Sequence, residues 1–246
     1  MIHGIIFDYG GTIDTNSTHW SEVLWEGYQQ EGIPVSKDEF RTSYVFAERA
    51  LAKHPYIKPT HNFLDLLRIK CDLETRDLQD RGAWTVTEEK RKALSDAVAH
   101  YCYEYVLKVL EISRPVIASL AERYPLVLVS NFYGNIETIL ADFRLPYFRR
   151  VVESAVVGVR KPDPKIYQLG IEALREVTGM TAEKLPAHDI LVVGDSFSKD
   201  IVPATQLGCQ TVWVKGCGWS HEEVDETVPT HIIYNIKDLP EIVSKG

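Results

Sequence analysis

Hydrophobic positions along this chain change their period twice. Ile5-Ile6-Phe7 is a short apolar run that stops at Asp8 and is followed at once by Gly10 and Gly11, the pattern of a strand ending in a tight turn. Beyond Asp14 the spacing becomes helical. Trp20, Val23, Leu24 and Tyr28 recur on one face, and Gly32 stops the segment. Ser36 with Glu39 makes a capping-box pattern that opens a second helix, with Phe40, Tyr44, Ala47 and Leu51 as its apolar stripe. Pro55 and Pro59 bracket a loop, and Phe63, Leu66, Leu67 and Ile69 form a third apolar segment. Thr85 with Glu88 is expected to cap a long helix that runs to about Leu110. Between Ser17 and Leu110 the pattern shows helices and no convincing strand.

A new helix is expected at Ser113-Arg114-Pro115, with Ser113 as its N-cap and Pro115 in its first turn. Strands are then expected at residues 126–129, 151–153, 190–193 and 211–214, with a short one at Ile232-Ile233. Helices near residues 135–142, 164–177 and 200–206 separate them, and one over 239–243 closes the chain. This alternation predicts an α/β fold with a doubly wound, Rossmann-like parallel sheet. The expected organisation is a core of residues 1–16 and 111–246 with an inserted α-helical cap at residues 17–110.

Three of these strands stop at polar residues: at Asp8, at Ser130-Asn131 and at Gly194-Asp195-Ser196. Ligands of open parallel sheets sit at the carboxyl ends of the strands, so the three ends predict one shared site. Asp195 and Asp200 supply more carboxylate than a turn needs. With Asp8 they would form a three-acid cluster, unfavourable unless a cation sits among them.

Composition narrows the choice of chemistry. The 246 residues are 45% hydrophobic and 25% charged, enough for one large domain or two small ones. A net charge of -8 argues against a nucleic-acid or membrane-surface partner, so an anionic substrate needs locally placed cations. Cys71, Cys102, Cys209 and Cys217 show no Cys-x-x-Cys spacing and read as buried thiols of a reducing compartment. The first residues enter a strand without a signal-peptide pattern, and no apolar run approaches the roughly 20 residues of a membrane helix, so a cytoplasmic location is expected.

The motifs themselves carry a resemblance. Asp8-Tyr9-Gly10-Gly11-Thr12, then Ser130, then Lys161 within Arg160-Lys161-Pro162-Asp163-Pro164, then Gly194-Asp195 with Asp200 five positions on, resemble the four ordered motifs of the haloacid dehalogenase-like hydrolases. The resemblance implies a magnesium-dependent phosphohydrolase acting on a small phosphorylated metabolite. It implies that Asp8 attacks phosphorus and becomes an aspartyl phosphate that water then hydrolyses. It also implies that Asp8, the Gly10 carbonyl, Asp195 and Asp200 hold Mg2+ and that Ser130 and Lys161 hold the phosphoryl group; Thr12 is expected to join them in binding the substrate, by hydrogen-bonding and orienting the loop.

One position departs from that pattern. Phosphatases of the family usually carry a second aspartate two residues after the nucleophile, where this chain has Gly10, and a positioned general acid is typically worth about 10² to 10⁴ in rate. A good leaving group, a substitute acid such as Asp14 or a cap residue, or slow turnover are the three repairs. Two alternatives follow: a phosphonatase-type hydrolase using a cap lysine such as Lys53 as a Schiff base, or a non-catalytic module that binds a phosphorylated ligand. The 2-haloacid dehalogenases fit less well, because they place tyrosine two positions after the nucleophile, whereas Tyr9 is one after. His19, Trp20, Tyr101, Tyr103 and Tyr105 are the cap residues to inspect, with packing as their simplest role.

Overall fold

The computed structural model describes residues 1–216 and 223–245, so Cys217 lies outside the described residues. Its centre is a sheet of six strands: β1 (Gly4–Phe7), β2 (Leu126–Ser130), β3 (Phe148–Glu153), β4 (Ile190–Gly194), β5 (Gln210–Val214) and β6 (His231–Ile233). Their order is β3-β2-β1-β4-β5-β6, and every pairing is parallel. Four helices lie between β1 and β2: α1 (Trp20–Gln30), α2 (Lys37–Lys53), α3 (Phe63–Asp80) and α4 (Glu88–Ala121). After β2 come α5 (Ile136–Asp142), α6 (Ser154–Val157), α7 (Lys165–Thr178), α8 (Val202–Gln206) and α9 (Leu239–Lys245).

Every residue of β1, β2 and β4 is buried, which is why these strands read as unbroken apolar runs rather than as alternating ones. The alternation is present in space. Ile5, Phe7, Leu126, Leu128, Leu191 and Val193 face one core with Ile117, Ile136 and Leu239, whereas Ile6, Val127, Val129, Ile190 and Val192 face the other with Ile166, Ile171 and Ala204. The chain winds from β1 outward to β2 and β3, then crosses to β4 and winds the other way. The loop carrying Asp8 therefore leaves the sheet at its topological switch point.

The inserted helices start largely where the sequence places them. Ser36 and Glu39 form the full capping box of α2, and Phe40, Tyr44, Ala47 and Leu51 are its buried stripe. Asn62 and Asp65 make a second such box at α3. Thr87, not Thr85, caps α4, which sets Glu88 and Glu89 in the first turn against the positive end of the helix dipole.

The expected helix start at Ser113 is not found. A single helix of 34 residues runs from Glu88 to Ala121 with Pro115 in its interior. Proline inside a helix costs about 3 kcal/mol. Here Cys102, Val106 and Leu110 on one side of it and Ile117 and Leu120 on the other are all buried, and full burial of aliphatic side chains stabilises by about 1.5–3 kcal/mol each. Ser113 is no N-cap; its hydroxyl donates to the Ile13 carbonyl at 2.9 Å, fastening α4 to the loop beyond Asp8. One continuous helix thus joins the inserted helices to the sheet.

Candidate active site

The site is built on the turn that follows β1. The Asp8 amide donates to the Val193 carbonyl at 2.9 Å, so the acid is held by the neighbouring strand. Gly11 has φ +95°, and a Cβ there would overlap the Asp195 carboxylate; glycine alone lets the turn lie against that acid. Asp14 closes the turn. Its Oδ1 accepts from the Gly11 amide at 2.7 Å and its Oδ2 from Trp20 Nε1 at 3.1 Å, which links the turn to the start of α1. Burial is the main reason its carboxyl is pushed up to about 7.

Lys161 organises the acids. Its ammonium donates to Asp8 Oδ1 at 2.5 Å and to Asp200 Oδ1 at 2.7 Å, and it is almost fully buried. The Thr12 hydroxyl donates to Asp8 Oδ2 at 2.9 Å and stands 3.3 Å from Asp195 Oδ1. Asp200 Oδ1 also accepts from the Tyr167 hydroxyl at 2.7 Å, and its Oδ2 accepts from the Ser196 amide at 2.9 Å. Both Asp200 oxygens are therefore taken up by protein donors. Trp213 Nε1 donates to the Asp195 carbonyl at 2.7 Å, fixing the backbone beneath that acid.

Burial raises the Asp8 carboxyl to about 6; Lys161 opposes the shift and Asp200 adds to it. Burial, then the Asp8 and Asp200 charges, push Asp195 well above the usual carboxylate range. For Lys161 burial works downward, but Asp200 and Asp8 outweigh it and hold the ammonium above its ordinary value. Asp8, Asp195 and Asp200 each offer an oxygen, all within 4.8 Å of one another. Three carboxylates thus face one ammonium, and an all-oxygen donor set with uncompensated negative charge is the kind that a hard divalent cation such as magnesium prefers.

These residues open into a cavity of about 1530 Å³. Asp8, Gly10, Ser130, Lys161 and Asp195 line it from the core, and Trp20, Tyr44, Glu48, Phe63 and Lys70 line it from the inserted helices. A Cβ on Gly10 would meet nothing within 4 Å, so neither packing nor backbone strain requires glycine there.

The fold brings Asp8, Thr12, Lys161, Asp195 and Asp200 into one hydrogen-bonded or near-contact group, with Gly10 and Ser130 on the same cavity wall. Of the cap residues, His19 and Trp20 line the cavity, and burial with nearby Lys70 and Lys199 lowers the His19 imidazole to about 4. Tyr101, Tyr103 and Tyr105 instead brace the inserted helices, donating to Glu26, Asp142 and Thr18. Asn131 has a role the sequence did not give it. Its side chain accepts the Lys161 amide at 2.8 Å and donates to the Lys161 carbonyl at 3.1 Å, clamping that residue's backbone. Its place directly after Ser130 at a strand end was the available signal. Tyr167 carried none, because its contact with Asp200 spans 33 positions.

Residues 2–208 match the haloacid dehalogenase-like hydrolase family. This chain belongs to that family. A glyceraldehyde 3-phosphate phosphatase of Pyrococcus abyssi is 26% identical to this hydrolase over 223 residues, covering 87% of this chain and 82% of that protein. The (S)-2-haloacid dehalogenase 2 of Pseudomonas sp. strain CBS-3 is 23% identical over 248 residues, covering 99% and 96%. Among solved structures, the HAD-hydrolase YfnB from Bacillus subtilis bound to magnesium shares the fold at a TM-score of 0.57 and 17% identity, with 98% of each chain covered. This hydrolase therefore has both phosphatase and dehalogenase relatives, and the choice between their reactions rests on its own side chains.

Proposed function

We propose that this hydrolase cleaves a small phosphate ester or anhydride, with magnesium, through an aspartyl-phosphate intermediate on Asp8. The observation that carries the reading is the buried Lys161 ammonium lying between Asp8 and Asp200, with Asp195 beside them. A 2-haloacid carries one carboxylate, which such a cluster would repel. A phosphoryl group arriving with a divalent cation balances it.

In this reading an Asp8 oxygen forms the new bond to phosphorus while the bond from phosphorus to the leaving oxygen breaks. Lys161 and Ser130 face the transferring group, and Lys161 offsets the negative charge that its oxygens carry. Asp8, the Gly10 carbonyl and Asp195 would hold Mg2+, with Asp200 as a further or water-mediated partner; its main work is to hold Lys161. When bound, magnesium would neutralise phosphoryl charge and orient the phosphate. Water then attacks phosphorus, releases phosphate and restores Asp8. The helices of residues 17–110 act as the cap that shapes the substrate's end of the cavity. The free, buried thiols of Cys71, Cys102 and Cys209 suit a cytoplasmic, reducing setting.

Two cap lysines, Lys53 and Lys70, line the cavity, and the phosphonatase alternative loses support at Lys70. Lys70 lines the cavity, but its ion pair with Glu48 outweighs burial and holds the ammonium well above its ordinary value. Imine formation needs the neutral amine.

The test is acid quench of the magnesium-loaded enzyme with a phosphoryl-labelled acyl phosphate, followed by peptide mapping. Label on the peptide carrying Asp8 is expected. Turnover with no label on that peptide, or label elsewhere, overturns the reading.

A further inference from the structure

On the cavity wall that the cap supplies lies an ion pair that the reaction itself does not use, its lysine buried and its glutamate half-buried. Lys70 on α3 is only 5% exposed, and its ammonium donates to Glu48 Oε1 on α2. It lies 4.4 Å from the centre of the Tyr44 ring, over that ring's face. Glu48 Oε2 accepts from the Tyr133 hydroxyl at 3.2 Å, which ties the pair to the loop after β2. Glu48 is the hydrogen-bond acceptor of Lys70 among the described residues, so the ammonium, with three donors, keeps capacity beyond that bond. All four residues line the cavity that contains Asp8.

The chemistry of such a pair is selective. Burial alone would raise Glu48, but Lys70 and Tyr133 take it below the ordinary value, so both members of the pair are charged. A second anion on the substrate would meet Glu48 as well as Lys70. A bare alkyl group would desolvate both charges and return no hydrogen bond. A hydroxyl group, which donates and accepts at once, can use the carboxylate and the ammonium together. The apolar faces of Trp20 and Phe63 on the same wall suit the C–H faces of a short carbon chain or ring.

We infer that Lys70 and Glu48, with Tyr133 behind them, read hydroxyl groups on the leaving part of the substrate, so that the enzyme selects a polyol or sugar monophosphate over an alkyl phosphate. This inference rests on the phosphohydrolase reading for its substrate.

The test separates the two by using binding. Asp8→Asn protein with magnesium is titrated calorimetrically with glycerol phosphate and with n-propyl phosphate, which share three carbons and the phosphate. Glycerol phosphate is expected to bind about tenfold or more tightly, well inside the range that polar recognition of a hydroxyl can reach. Adding Lys70→Met with Glu48→Gln, which removes both charges together, is expected to erase the preference by weakening glycerol phosphate alone. Where that combination does not give a cooperative melt, Glu48→Gln by itself is expected to cost glycerol phosphate about tenfold. Equal affinity for the two esters, including no measurable binding of either, overturns the inference. So does an equal loss for both esters on mutation, which marks the pair as a structural prop. Phosphate release by the unmutated enzyme is measured beside it: a binding preference without turnover leaves the inference standing and removes the phosphohydrolase reading, and turnover without preference does the reverse.

Discussion

Lys161 Nζ stands 2.5 Å from Asp8 Oδ1, and the same nitrogen is held 2.7 Å from Asp200 Oδ1. The Asp8 carboxylate is thus positioned by a cation that is itself fixed from behind, its ammonium by the Asp200 carboxylate and its backbone by the Asn131 side chain. Lys161→Met removes that positioning and the positive charge beside Asp8, which the proposed reaction sets against the phosphoryl group. Phosphate release is expected to fall by about 10² to 10³, the usual cost of one preorganised donor in a transition state. Steady-state kinetics at saturating magnesium check this; a fall of less than tenfold would mean that Lys161 serves only the fold.

Gly10 makes a separate prediction. The space around it accepts a side chain, so Gly10→Asp can supply a carboxyl without rebuilding the turn. A general acid matters most for leaving groups that cannot depart as anions. Turnover of alkyl phosphates is expected to rise at least about tenfold, while acyl phosphates change little. The ratio of the two rates in variant and parent is the measurement, and a uniform change in both would show that leaving-group protonation is not what the parent lacks.

Glu74 on α3 gives a prediction about stability. Its Oε2 accepts from the Tyr28 hydroxyl at 3.2 Å, while Oε1 is buried without a hydrogen-bond partner among the described residues. Burial, with Glu48 adding and Lys70 opposing, raises its carboxyl from 4.5 to about 7. Between those values the folded chain holds a proton that the unfolded chain has lost, so this group's contribution to stability declines as pH rises through the window. Glu74→Gln keeps an acceptor for Tyr28 and cannot ionise. It is expected to raise the melting temperature at pH 8, by up to about 3 kcal/mol of stability, and to give little or no gain near pH 4.5. Thermal melts at the two pH values decide it, and an equal shift at both would contradict the burial argument.

What the sequence made legible follows from range. β1, β2 and β4 could be read because a strand buried on both faces is apolar at every position, and Ser36 with Glu39 because a capping box is complete within four residues. The unbroken α4 could not be read that way. Pro115 and Ser113 give a local stop signal, and only the burial of Ile117 and Leu120 against the sheet side overrides it. The same division runs through the site. Asp8, Lys161, Asp195 and Asp200 carry motif spacing, whereas Tyr167 and Asn131 matter through contacts that span 33 and 30 positions. The Lys70–Glu48 pair spans 22, and nothing in either helix's own pattern marks it.

The central claim is that Asp8 is the group that attacks phosphorus. Asp8→Asn keeps the shape of the side chain and an oxygen for Thr12 or Lys161, and removes the nucleophile. Phosphate release from an acyl phosphate with magnesium is the direct measurement. Since loss of a covalent nucleophile can cost about 10⁶ in kcat, a drop of at least about 10³ is expected, with the fold intact by circular dichroism. Release within tenfold of the parent rate would contradict the account.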